Sequence, residues 1–157
     1  PRFVNGPIAV TVHALDTTNA AFTNFTGTVF FDSMNGAEVS PSVSGNFVGG
    51  VWSGAVSIAE ATSNLVLRAD DGDGRMGLAN AIDVVTPPSL GVSNSESSLL
   101  MTWPVAPGGF VLERSGNLLP DSWTAVPGSP TNSDDQNFQW VPMSGTNQFF
   151  RLRFLGP

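Results

Sequence analysis

Apolar and polar residues alternate in the first half of the chain, over short stretches that turn residues separate. The clearest stretch is Ile8–Ala14, in which every second residue is apolar. A period of two predicts a half-buried strand. Phe47–Ile58 predicts a hairpin, because Gly49-Gly50 supplies turn residues between two apolar runs. Further strands are predicted on the same grounds at Thr28–Phe31, Leu65–Ala69 and Ala81–Val85.

The second half of the chain follows the same style, and two prolines divide the halves. Pro87 and Pro88 remove two backbone donors in a row, so a sheet is not expected to run through them. Strands are predicted beyond them at Leu99–Trp103, Phe110–Arg114, Trp123–Val126, Phe138–Val141 and Phe149–Phe154. No segment keeps an apolar period of 3.6 residues. We therefore predict an all-β protein of two tandem antiparallel β-sandwich modules, residues 1–86 and 89–157, with almost no helix.

The charge balance of the chain limits the classes of partner that it is expected to bind. The chain has six arginines, no lysine and 13 acidic residues, which give a formal net charge of −7. Nucleic acid needs a basic footprint, and so does an anionic membrane surface, so we predict neither as a partner. No apolar run approaches the ~18 residues that cross a bilayer, which predicts no membrane insertion. Cysteine is absent, so disulfides and thiol nucleophiles are excluded.

The first half resembles a bacterial immunoglobulin-like repeat. The segments that carry the resemblance are Ile8–Asp16, Phe25–Val29, Gly50–Gly54 and Leu67–Gly72. Such repeats usually begin with a further strand. The resemblance therefore implies that the first strand is missing here and that the chain is a piece of a longer protein.

The second half is similar to a fibronectin type III domain in Ser98–Trp103, Phe110–Arg114 and Trp123. It resembles more closely a short C-terminal module of secreted multidomain bacterial proteins, which ends in a phrase like Asn147–Arg153. It departs from fibronectin type III in lacking a clear strand after Phe154, which leaves the strand order open. Both resemblances imply a secreted or cell-surface setting, other domains of the same parent chain as partners, and no catalytic residues.

Candidate catalytic residues are few. His13 is the only histidine, and it lies on the polar phase of its predicted strand. A Ser-His nucleophile system needs a histidine base, and zinc sites draw on His and Cys, so neither is expected. A glycosidase would need two carboxylates facing each other across a cleft, for which two small sandwiches offer little room. We predict no catalytic site.

The acidic segment Asp70-Asp71-Gly72-Asp73-Gly74 allows two interpretations. Three carboxylates within four residues repel one another unless water or a cation separates them. Calcium binds such flexible, oxygen-rich loops, so Asp70, Asp71 and Asp73 are candidate calcium ligands. The alternative is a plain hairpin turn, in which Asp and Gly are favoured for their backbone conformations, and we prefer it.

Four tryptophans raise the question of carbohydrate binding, because exposed aromatic faces stack on sugar rings. Trp52 and Trp103 alternate in phase with apolar residues, which predicts core positions. Trp123 and Trp140 have polar neighbours and are candidate ligand-binding residues, with Trp140 the better candidate for exposure. A core position is the competing interpretation for each, and we prefer it.

These patterns favour a non-catalytic accessory region of a secreted bacterial enzyme that acts on polysaccharide. The region would act as a spacer and as a carbohydrate-binding module, with polysaccharide as partner and with no cofactor unless calcium binds. The alternative is a cell-surface adhesin or structural stalk repeat without a specific small ligand.

Overall fold

The computed structural model describes residues 2–143 and 147–156. The outermost residue of each predicted module, Pro1 or Pro157, thus lies outside the described residues. The chain divides into two compact units, residues 1–86 and 87–157. The division falls beside the Pro87-Pro88 pair. The all-β prediction is confirmed, since the described residues contain no α-helix and a single 3₁₀ turn at Pro120–Ser122.

The described residues of the first unit form nine short strands: β1 Arg2–Phe3, β2 Ile8–His13, β3 Phe30–Ser33, β4 Val39–Ser40, β5 Val51–Ile58, β6 Thr62–Leu65, β7 Leu67–Asp70, β8 Met76–Leu78 and β9 Ile82–Val85. These strands make three three-stranded sheets, in the orders β1-β9-β6, β2-β5-β4 and β3-β7-β8. The two-residue strand β1 lies at the start of the unit, where we expected the first strand to be missing. It pairs with β9 in parallel, the one exception among the described strands to the predicted antiparallel arrangement.

The alternation in the sequence explains the core of the first unit. In β2, Ile8 is buried while Ala9 and Thr11 are exposed, and in β5 both Val56 and Ile58 are buried. The predicted turn at Gly49-Gly50 is confirmed, since both glycines have positive φ (59° and 75°). Trp52, predicted as core, is only half-buried, and its ring packs 5.1 Å from that of Phe31. The buried apolar residues are Ile8, Val29, Phe31, Val39, Phe47, Val56, Ile58, Leu65, Leu67 and Val84.

The described residues of the second unit form the strands β10 Gly91–Ser95, β11 Ser98–Pro104, β12 Phe110–Ser115, β13 Thr124–Ala125, β14 Thr131–Ser133, β15 Gln136–Pro142 and β16 Phe149–Phe154. These strands make two antiparallel sheets, in the orders β10-β11-β15-β14 and β13-β12-β16. No strand follows Phe154 in the part of the chain that the structure describes. The core draws on both sheets, as in a sandwich: Met101, Trp103 and Val141 come from one and Leu112 from the other. Trp103 is 3% exposed, which confirms its predicted core position.

Candidate functional site

Trp140 lies on the outer face of the four-stranded sheet of the second unit. Its neighbours in β15, Gln139 and Val141, are both buried, and successive strand residues face opposite sides of a sheet. Gln139 is held inward because its Nε2 atom donates to the Pro127 and Gly128 carbonyls at 3.1 and 3.2 Å. The Trp140 side chain is therefore directed outward and is 57% exposed. The core position that the sequence favoured is wrong for Trp140, which was the better candidate for exposure of the two.

Register places further apolar groups beside Trp140. Leu100 in β11 is its direct cross-strand partner, and Phe138 lies two residues before it in β15. Both are half-buried. Cross-strand partners share a face of the sheet, so these three side chains form one outward apolar patch.

Hydroxyl groups surround this patch on the same face. The partners of Leu100 and Phe138 in the flanking strands are Ser93 in β10 and Thr131 in β14, and Thr102 in β11 faces Phe138. We call eight of the outward residues the platform; they are Ser93, Ser95, Ser98, Leu100, Thr102, Thr131, Phe138 and Trp140. None of them carries a charge. An exposed indole beside half-buried apolar groups and neutral hydroxyls suits the apolar face and the hydroxyls of a sugar ring.

Trp123, the second predicted ligand-binding residue, belongs to the other sheet. It directly precedes β13 and is half-buried, and the Arg151 guanidinium carbon lies 4.2 Å from its ring centroid. A cation therefore already occupies one face of this indole. The structure does not bring Trp123 and Trp140 together into one aromatic row.

Arg151 is held in turn by an acidic residue that the sequence did not single out. Glu113 in β12 is 3% exposed, and it accepts hydrogen bonds from Arg151 Nε at 2.9 Å and Arg153 Nε at 2.6 Å. Burial raises the pKa of Glu113, but the hydrogen bonds from Arg153 and Arg151 and their positive charges outweigh it and leave the pKa below its usual range. This cluster stabilises the sheet and presents no open carboxylate.

The acidic segment folds as a closed hairpin loop between β7 and β8. Asp71 Oδ1 accepts the amides of Asp73 and Arg75 at 2.9 and 3.0 Å, and its Oδ2 accepts from Arg75 Nη1 at 2.9 Å. The hydrogen bond from the Arg75 side chain is the largest of the effects that lower the pKa of Asp71. Asp70 Oδ1 accepts the Gly72 amide at 2.8 Å. Both Asp71 oxygens thus already have protein donors.

The proposed calcium ligands Asp70, Asp71 and Asp73 do not converge with other ligands around one point. Within residues 2–143 and 147–156, no three or more acidic or histidine side chains are grouped as a metal ion requires. The calcium interpretation stays a prediction, and the bonds of Asp71 favour the alternative of a turn.

A cavity of about 630 Å³ in the first unit was not foreseen from the sequence. It lies between two loops that are more than 50 residues apart in the chain, which is why no local pattern indicates it. His13 lines this cavity and is exposed, as predicted. The other lining residues are Val12, Ala14, Leu15, Asp16, Thr17, Asn19, Phe22, Phe25, Val29, Phe47, Ala69, Asp71, Arg75, Met76 and Gly77.

Comparison of the chain with protein-family models, with curated proteins and with solved structures found no match. The immunoglobulin-like and fibronectin type III-like resemblances therefore stay predictions. No helix in the described part of the chain is long and apolar enough to cross a membrane.

Proposed function

We propose that this chain is a non-catalytic accessory region of a secreted or cell-surface bacterial protein and that its second unit binds neutral polysaccharide. The observation that carries the proposal is the platform, on which the Trp140 indole is exposed beside Leu100 and Phe138. Soluble domains usually bury such a ring, so an exposed indole within an apolar patch suggests a surface made for a ligand.

The chemistry of the platform supports an uncharged glycan. Stacking on Trp140 would use the apolar face of a pyranose, while Ser93, Thr102 and Thr131 would bond to its hydroxyls. A uronic acid or sulfated sugar would meet no cation on this face, and the net charge of −7 would repel it. The flat, open surface fits the side of a chain rather than a single enclosed sugar.

The finer architecture belongs to the same proposal. We take the first unit as immunoglobulin-like and the second as fibronectin type III-like, supported in the second by its pair of four-stranded and three-stranded sheets. Modules of this type commonly stand between or beside other domains of a parent chain. The first unit would space the platform from such domains.

Affinity electrophoresis tests the proposal. Native gels would contain neutral polysaccharides (cellulose ethers, xylan, mannan or mixed-linkage glucan) or anionic ones (pectin or alginate). We expect at least one neutral polymer to slow the protein, and Trp140→Ala to weaken this binding about tenfold. Leu118→Ala is the control, because Leu118 is also exposed in the second unit but lies outside the platform. Equal migration in every gel would refute the proposal and favour a stalk repeat without a ligand.

A further inference from the structure

Two loops of the same design line the cavity in the first unit. In the loop 16–20, Asp16 Oδ1 accepts the amides of Thr18 and Ala20 at 2.8 and 3.0 Å. In the loop 71–75, Asp71 Oδ1 accepts the amides of Asp73 and Arg75. A side-chain acceptor that bonds amides two and four residues ahead closes each loop tightly. These hydrogen bonds therefore fix the backbone of both loops that line the cavity.

The interior and the opening of the cavity differ in polarity. Val29 and Phe47, which belong to the buried core, line its inner part. The lining residues Leu15, Phe22 and Met76 are exposed, so they lie toward the opening. A ligand would meet an aromatic ring and two aliphatic side chains at the mouth. The volume of about 630 Å³ falls within the usual range of ligand pockets, about 300–1,000 Å³.

Polar groups of opposite charge share this opening. All three hydrogen bonds that Asp16 accepts within its loop fall on Oδ1, which leaves Oδ2 outside them. Hydrogen bonds from the Thr18 hydroxyl and from the Ala20 and Thr18 amides lower the pKa of Asp16, so it is a carboxylate at neutral pH. The Arg75 side chain is 75% exposed, although Nη1 contacts Asp71. Asn19 and His13 add further polar groups to the lining.

We infer that this cavity is a second binding site, separate from the platform, and that its ligand is a neutral sugar unit of one or two rings. A cationic ligand would be attracted by the carboxylates of Asp16 and Asp71 and repelled by the Arg75 guanidinium, and an anionic ligand would meet the reverse. Adjacent hydroxyls satisfy both, because a hydroxyl donates to a carboxylate and accepts from a guanidinium. The apolar face of the sugar ring packs against Phe22.

A partly enclosed pocket is suited to the end of a glycan or to a free small sugar, whereas the platform is suited to the side of a chain. The two sites depend on different residues in different units. Failure at one therefore leaves the other testable.

The experiment is an NMR titration of the whole chain carrying Trp140→Ala, which removes the platform indole. The probes are glucose, galactose, mannose, xylose and their disaccharides, each as the free sugar and as the methyl glycoside. We expect saturable shifts in the amides of residues 12–25 and 69–77 with at least one neutral sugar. Equal binding of a free sugar and its glycoside indicates recognition of a chain end through its non-reducing side, and binding of the free sugar alone indicates a soluble sugar as ligand; either result supports the site.

Variants make the assignment specific. Phe22→Ala and Arg75→Gln should each weaken binding and raise the dissociation constant at least tenfold. Phe30→Ala is the matched control, since Phe30 is an exposed phenylalanine of the same unit that does not line the cavity. Glucuronic acid and glucosamine supply the anionic and cationic comparisons. Preferential binding of either charged sugar, no saturable shifts at all, or equal loss in Phe30→Ala would each overturn the inference.

Discussion

Asp16 and Asp71 occupy equivalent positions in two loops of the same hydrogen-bond pattern. Each accepts the amides two and four residues ahead, and each donates its own amide to the carbonyl four residues ahead, at 2.8 Å for Asp16 and 3.1 Å for Asp71. The residue three places ahead has a positive φ in both loops, 63° at Asn19 and 90° at Gly74. One carboxylate thus supplies the hydrogen bonds that close a five-residue hairpin loop.

The first prediction concerns calcium at the acidic loop. We expect the melting temperature to be the same in millimolar calcium and in sodium of equal ionic strength, because Asp71 already has protein donors on both oxygens. Thermal melts in chelator, calcium and matched sodium measure this. Bound calcium at a hundredfold excess over its dissociation constant would instead add ~2.7 kcal/mol, a rise of several degrees.

Substitutions separate the two interpretations of this loop. Asp71→Ala should destabilise the first unit in every buffer, because the loop loses its closing acceptor. Asp73→Asn is the control, since it removes a carboxylate from the same loop and leaves those bonds in place. A calcium-dependent rise in melting temperature that Asp73→Asn abolishes would establish a metal site.

The second prediction concerns Gly50, whose backbone lies close to that of Phe22 and Thr23. A Cβ at Gly50 would lie 2.4 Å from the Phe22 carbonyl oxygen, so the backbone would have to move. Gly49 also has a positive φ, but a Cβ there would meet nothing within 4 Å. Gly49→Ala should therefore cost about 1 kcal/mol for its left-handed backbone alone. Gly50→Ala should lower the free energy of unfolding, measured in urea, at least twice as much. It should also shift the NMR resonances of the amides of residues 14–22. Equal costs would show that the close approach does not occur.

The third prediction compares two tryptophans of the second unit. Trp103→Ala should lower the free energy of unfolding by about 3–5 kcal/mol, because it empties a core position. Trp140→Ala should change it by no more than about 0.5 kcal/mol. Denaturant unfolding followed through the amides of β11 and β15 measures both. A cost under 1 kcal/mol for Trp103→Ala, together with loss of glycan binding, would reverse their roles.

Local alternation was enough to predict the all-β class, the Gly49-Gly50 turn and the core position of Trp103. Each depends on residues within a few positions of one another. The role of Glu113 could not be predicted, because Arg151 and Arg153 reach it from a strand almost 40 residues away. The cavity could not be predicted for the same reason, since the lining residues Asp16 and Asp71 belong to loops that are distant in the sequence. Alternation also did not predict how deeply a side chain is buried. Trp52 alternates in phase with core residues of its strand, but it is only half-buried.

The fourth prediction concerns the independence of the two units. A chain of residues 89–157 should fold alone, since Met101, Trp103, Leu112, Val126 and Val141 form a core entirely within it. Its amide spectrum should be dispersed and should overlay the corresponding resonances of the whole chain. A collapsed, poorly dispersed spectrum would show that this half needs the first unit in order to fold.

The last prediction concerns Glu113 and acid. Because the folded-state pKa of Glu113 is lower than the pKa in the unfolded chain, the unfolded state binds more protons between those two values. The stabilisation is therefore complete above the unfolded pKa, about 4.3 for glutamate, and is lost as the pH falls through the folded pKa. The free energy of unfolding of the second unit should decrease below about pH 4.

Glu113→Gln should remove this part of the acid dependence. At neutral pH it should cost about 1–3 kcal/mol, because Arg151 and Arg153 lose their shared anion and the amide group presents a donor toward them. Glu96→Gln is the control, since Glu96 is an exposed residue of the same unit. Urea unfolding between pH 2.5 and 7, followed through the amides of β12 and β16, measures each variant. If Glu113→Gln keeps the wild-type decrease below pH 4, the acid sensitivity arises from other carboxylates, and the two arginines act on Glu113 only by packing over it.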